Sequence, residues 1–276
     1  MKAMINQNDL KNWLQYECPQ FWSLLNTKGQ SALPKGLVEY IGEGTASEID
    51  AGRCNLRVIE HTLSALLDRW TYKTIVDAYR RDLSGIGTAA QLAELFCEIA
   101  LCASISSLSE TLQFRPPTGK GTHSDFLAKL NGYEIYGESK RYEDPWPHIA
   151  SPNEPIISKI PYKRSITQSA QGQKPTDSAR PRSMDLRSKL QNVPRQFPDQ
   201  TLNILFVFHR SFVGESQRYI TQTLFGDANF FSAENTCTLE SDGLFAIEEW
   251  RNVSACCLSR RCASSSEVVF SYISDS

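Results

Sequence analysis

Three residues in the stretch SDFLAKLNGYEIYGESK could act on one substrate together: Asp125, Glu138 and Lys140. Two carboxylates brought side by side repel one another unless something compensates. A divalent ion such as Mg²⁺ or Mn²⁺ is one compensation, because clustered carboxylate oxygens are the ligands these hard cations prefer. A lysine beside that ion could orient a water molecule or steady a developing negative charge. The competing reading is a solvated hairpin face on which Lys140 and Lys129 simply neutralise the acids.

The turn decides whether these residues meet. Asn131-Gly132 between two alternating runs is the strongest short-range hairpin signal, a two-residue type I′ turn. Leu130 then pairs with Tyr133, and counting back along both strands sets Asp125 opposite Glu138. Alternation sends Phe126, Ala128, Leu130, Tyr133 and Ile135 to an apolar face. Asp125, Leu127, Lys129, Glu134, Tyr136, Glu138 and Lys140 fall on the other.

Around this hairpin the apolar period predicts further elements. AAQLAELFCEIALCASISSL reads as a helix with Thr88 as its cap, and ETLQFRP, HSDFLAKL and YEIYGESKRY read as three strands. SMDLRSKLQNV follows as a helix, LNILFVFHR as a strand covered on both faces, and ESQRYITQTLF as another helix. GLFAIEEW, SACCLS and EVVFSYI are further strand candidates. The first 85 or so residues read as helices, NDLKNWLQYE and LRVIEHTLSALLDRWTYKTIVDAYRRDL, separated by a loop at PKGLVEYIGEGTASE. Residues 145–182 read as a long Pro- and Ser-rich loop.

With those elements in place, SDF followed thirteen residues later by ESK resembles the PD-(D/E)xK nuclease superfamily. The order of helix, three antiparallel strands, helix and strand is also similar, over about residues 89 to 210. Ser124 stands where the name-giving proline would be. The resemblance implies an α/β fold with a restriction-endonuclease-like core at 89–276, preceded by a helical region at 1–88. It implies that Asp125, Glu138 and the Ser139 backbone carbonyl hold Mg²⁺ or Mn²⁺. A further acid from the preceding helix best matches Glu98, with Glu94 one turn earlier, and Lys140 serves as the catalytic partner. The implied activity is hydrolysis of phosphodiester bonds in DNA, with RNA as the alternative substrate, in restriction or defence against foreign DNA. The rival is a noncatalytic nuclease-fold subunit that binds DNA or assists assembly, which would be expected to have lost part of the acid and lysine set. In the nuclease reading the N-terminal helices are expected to serve dimerisation or to bind a partner protein.

Composition neither announces nor forbids such a partner. The net charge is -2 over 276 residues, so an anionic ligand must be met by a local patch. Residues 159 to 195 supply one, with nine Lys and Arg against Asp177 and Asp185. Lys163, Arg164, Arg180 and Arg182 in that segment, with Lys120 and His123 on the approach PPTGKGTH, are the candidate nucleic-acid contacts. The GKG of that approach lacks the spacing of a phosphate-binding P-loop. The eight cysteines show no paired zinc spacing and read as reduced thiols. No basic and apolar leader opens the chain, and the runs ILFVF and IALCA are far shorter than the ~20 residues of a membrane span. A cytoplasmic protein without a membrane segment is expected.

Overall fold

In the computed structural model the described residues are 3–25, 32–142, 186–209, 220, 222–226, 242–261 and 268–273. The long loop expected at 145–182, with Lys163, Arg164, Arg180 and Arg182, lies outside them. The chain opens with six helices: α1 Gln7–Glu17, α2 Pro19–Leu25, α3 Lys35–Gly42, α4 Ala46–Leu67, α5 Tyr72–Gly85 and α6 Ala89–Leu108. A short pair of strands, β1 Ala3–Met4 and β2 Glu43–Gly44, joins the start of the chain to the end of α3.

Capping fixes several of these helix starts. Asn6 caps α1 by accepting the Asn8 N–H at 2.8 Å, so the helix begins just before NDLKNWLQYE. α4 and α6 each open with a capping box, Thr45 with Glu48 and Thr88 with Gln91. The continuous periodic run after Leu56 is in fact two helices, because Thr71 caps α5 by accepting the Thr74 N–H at 3.3 Å.

The expected loop at PKGLVEYIGEGTASE is instead α3 and β2. Pro34 precedes the first turn, where no intrahelical donor is lost, and Leu37, Val38 and Ile41 are buried. Gly36 serves close packing: a Cβ there would lie 2.3 Å from the Thr88 carbonyl oxygen. A glycine that looks like punctuation is a contact between two helices.

Six strands follow in one sheet whose order matches the chain: β3 Thr111–Phe114, β4 Phe126–Leu130, β5 Tyr133–Tyr142, β6 Leu202–His209, β7 Ala255–Arg261 and β8 Val268–Ile273. β3, β4 and β5 form an antiparallel meander. β6 is parallel to β5, β7 is parallel to β6, and β8 returns antiparallel. The protein is thus α/β with a mixed sheet. Between β5 and β6 residues 186–190 are helical, and Val193–Gln196 forms a 3₁₀ turn. GLFAIEEW is not a strand: Leu244–Ala246 and Glu248–Asn252 are 3₁₀ turns that bury Leu244 and Trp250. Phe245 meets Trp250 edge to face at 5.8 Å, and this aromatic packing outweighs the β propensity of the segment.

Each sheet face has its own core. The six helices share one continuous apolar cluster with Leu112, Phe114, Phe126, Ala128, Phe206, Phe208 and Cys257. That core runs unbroken across residue 88. The opposite face packs Tyr142, Leu205, Val207 and Cys256 against Leu186, Leu190, Val193, Phe197, Leu224 and Trp250. β6 is therefore covered on both sides, as its continuous apolar run requires. Among the described residues, α6 alone is long and apolar enough to cross a membrane by length and composition. It lies against the sheet instead, with Glu98 near its middle.

Candidate active site

The β4–β5 ladder runs from Leu130↔Tyr133 to Phe126↔Gly137, the register counted from the turn. Asn131 and Gly132 sit at φ 49 and 83, the positive values that a type I′ turn demands. The ladder stops one pair short of Asp125 and Glu138. The Asp125 N–H donates to the Gly137 carbonyl at 3.0 Å, and its carbonyl accepts from the Arg115 N–H at 2.9 Å. With no β4 partner left, the Ser139 N–H is satisfied by the Asp125 side chain. Both the amide and the hydroxyl of Ser139 donate to Asp125 Oδ2 at 2.6 Å.

Glu138 is only 2% exposed. Lys140 Nζ donates to its Oε1 at 2.5 Å, whereas its Oε2 is buried without a partner. Alternation along β5 sets Tyr136, Glu138, Lys140 and Tyr142 on one face, and Tyr136 and Tyr142 pack into the second core. Burial, then the nearby Asp125 charge, pushes the Glu138 carboxyl up to about 8 despite Lys140. Burial alone would lower the Lys140 ammonium, but the Glu138 and Asp125 carboxylates together outweigh it and raise it. Glu94 adds to that field from the exposed side of α6.

Glu98 arrives from α6 but is held by an arginine. Arg115 Nη2 donates to both Glu98 oxygens at 2.9 Å, and Nε donates to Oε1 at 3.1 Å. Its Nη1 pairs with Asp82 of α5, and its guanidinium lies 5.3 Å above the Tyr79 ring. Burial raises the Glu98 carboxyl well above the usual range, Asp125 adds to the rise, and Arg115 opposes it. Glu98 is thus within electrostatic reach of Asp125 and Glu138 while both its oxygens are occupied.

These groups open into a cleft of about 1640 Å³ between α5, α6, the meander and the helical turn at 186–190. His123 lines it, as do Arg81, Arg141 and Lys189. Lys120 does not: it pairs with Asp199 at 2.6 Å. The approach PPTGKGTH is pinned down, with Thr122 Oγ1 donating to the Arg195 carbonyl at 2.6 Å and Ser124 Oγ to that of Gln196 at 2.5 Å. The structure therefore brings together Asp125, Glu138, Ser139, Lys140 and Glu98, and leaves Lys120 outside. Among the described residues no three carboxylate, histidine or cysteine side chains converge as a ready metal-ligand set.

Sequence reasoning missed Arg115 and Asp82. Arg115 read as the end of strand ETLQFRP, but it leaves the sheet at φ 51, a left-handed backbone that nothing in its residue type announces. The Ser139 side chain was also missed, since only its carbonyl was expected to matter. Compared with family models, curated proteins and solved structures, the chain matches none.

Proposed function

We propose that the chain is a divalent-metal-dependent nuclease of PD-(D/E)xK type on a restriction-endonuclease-like core, hydrolysing phosphodiester bonds in DNA. The observation that carries this reading is Glu138, a buried carboxylate with one oxygen on Lys140 and the other unpartnered, beside Asp125 at the floor of a large cleft. A buried polar atom without a partner costs about 1–3 kcal/mol, and a cation ligated there would remove that cost.

The residues fit a hard cation. Both bonds that Asp125 accepts from Ser139 fall on Oδ2, which leaves Oδ1 for a ligand. Backbone groups of one strand residue point to the same neighbouring strand, so the Ser139 carbonyl faces the side where β4 has already ended. Two carboxylates and a carbonyl are an oxygen set suited to Mg²⁺ or Mn²⁺. A divalent ion bound there supplies polarisation of a phosphate ester and acidification of a water molecule. Lys140 is held at the cleft by Glu138 and Asp125 as a permanently charged donor, positioned to stabilise negative charge on a reacting phosphate. Arg81 and Lys189 on the cleft wall offer cations to a nucleic-acid backbone.

The test is incubation of the purified chain with plasmid and with single-stranded DNA in Mg²⁺, Mn²⁺ or chelator. Cleavage that requires the ion and falls by about a hundredfold or more in Asp125→Ala and in Lys140→Ala supports the assignment, and cleavage at an undiminished rate in either variant refutes it. If no DNA is cut, Mn²⁺ binding that vanishes in Glu138→Ala would favour the noncatalytic nuclease-fold subunit. Absence of Mn²⁺ binding would favour a merely charged hairpin.

A further inference from the structure

We infer that Arg115 is a built-in cation standing where a second metal ion would otherwise sit, so that the site holds one divalent ion and Glu98 is a positioning residue rather than a ligand. The inference rests on the metal-site reading of Asp125 and Glu138 given above. Glu98 lines the same cleft as Asp125 and Glu138, yet both of its oxygens already accept from Arg115. The guanidinium grips it through three hydrogen bonds at 2.9–3.1 Å, a fork geometry among the strongest side-chain pairings. A metal that took Glu98 as a ligand would have to compete with that fork for its oxygens.

The surroundings hold Arg115 in this role from every side. Its backbone sits at φ 51 just past the last residue of β3, a conformation that costs energy and persists where neighbours over-determine it. Its N–H is tied to the Asp125 carbonyl at 2.9 Å, so the backbone that carries Asp125 and the one that carries Arg115 are fastened together. Asp82 takes Nη1, and Tyr79 lies under the guanidinium plane. Two positive side chains thus meet four acids, Asp82, Glu98, Asp125 and Glu138: Lys140 pairs with Glu138 and lines the cleft, whereas Arg115 is shared between Asp82 and Glu98. Asp125 makes no ion pair among the described residues, so a bound cation belongs at Asp125 and the orphaned Oε2 of Glu138.

The experiment counts bound Mn²⁺ on the full chain by calorimetry, with the paramagnetic resonance of free Mn²⁺ as an independent count. Wild type should bind one ion. Arg115→Gln frees Glu98 and should bind a second ion, or tighten the first by about tenfold or more, since one positive charge beside a divalent ion is gone. The double variant Arg115→Gln with Glu98→Gln exchanges an ion pair for two neutral amides and should return to one ion, with affinity within about threefold of wild type. Arg115→Gln with unchanged stoichiometry and affinity would overturn the inference, as would a double variant that loses Mn²⁺ binding tenfold or more. Should Arg115→Gln lose its thermal transition, the double variant, which leaves no buried charge alone, decides by itself. Wild type that binds no Mn²⁺ would overturn the site reading as well, so the two failures are told apart.

Discussion

Gly137→Ala is the substitution whose cost the structure specifies best. A Cβ at Gly137 would lie 2.1 Å from Cζ of Phe126, 2.2 Å from Cε1 and 2.8 Å from Cε2, since the ring lies directly across the residue it pairs with. Phe126 cannot easily yield, being fully buried and packed against Phe206 at 5.8 Å between ring centroids. Overpacking of this kind costs about 1–3 kcal/mol, and expulsion of the ring would approach the roughly 3–5 kcal/mol of Phe→Ala. Gly137→Ala is therefore expected to lose about 2–4 kcal/mol, read as a lower urea midpoint at constant slope. Phe126→Leu opens the space, so the double variant should be more stable than the sum of the singles by about 1 kcal/mol or more. Because Gly137 accepts the Asp125 N–H and precedes Glu138, the single variant should also weaken Mn²⁺ binding under conditions where it remains folded. A Gly137→Ala protein within about 0.5 kcal/mol of wild type, or strictly additive singles, would refute this account of the close contact.

Other consequences are checked more briefly. Lys140→Met should lower the rate of DNA cleavage by about 10²–10³ while Mn²⁺ still binds, because it removes a charge-stabilising donor and no metal ligand; single-turnover rates with parallel calorimetry measure both. The Glu138 carboxyl, raised to about 8 against an ordinary 4.5, keeps its proton in the fold where the unfolded chain has lost it. The folded state then binds more protons, so stability falls as pH rises between those values. In chelator, thermal melts from about pH 5 to about pH 8 should show wild type losing stability relative to Glu138→Gln; a constant difference would refute the burial effect. Over the same range Mn²⁺ should bind more tightly as it ceases to compete with that proton. Thr88→Ala removes half of the capping box that starts α6 and should cost about 1 kcal/mol in urea unfolding.

What the sequence discloses of this site follows the range of the interactions that build it. The register of the hairpin is local: Asn131 and Gly132 alone set which residues of β4 and β5 face one another, and the count holds through Phe126↔Gly137. Thr88 likewise announces the start of α6 from within a single turn. Alternation, however, tells which residues share a face and says nothing of what covers it. Glu138, Lys140, Glu134 and Lys129 share the polar side of the hairpin, and on pattern alone all four are equally suited to water. Glu134 and Lys129 remain at least partly open to it, whereas Glu138 is buried, on a face of β5 whose Tyr136 and Tyr142 pack with Leu186 and Leu190 from beyond the strand. Arg115 was still harder to foresee, for its place depends on a left-handed backbone residue meeting α5 and α6 at Asp82 and Glu98. Residue type cannot distinguish an arginine that holds a carboxylate from one that faces solvent. The juxtaposition of Asp125 and Glu138 thus rests on a local count, whereas the grip of Arg115 on Glu98 comes from a contact between elements that sequence spacing does not encode.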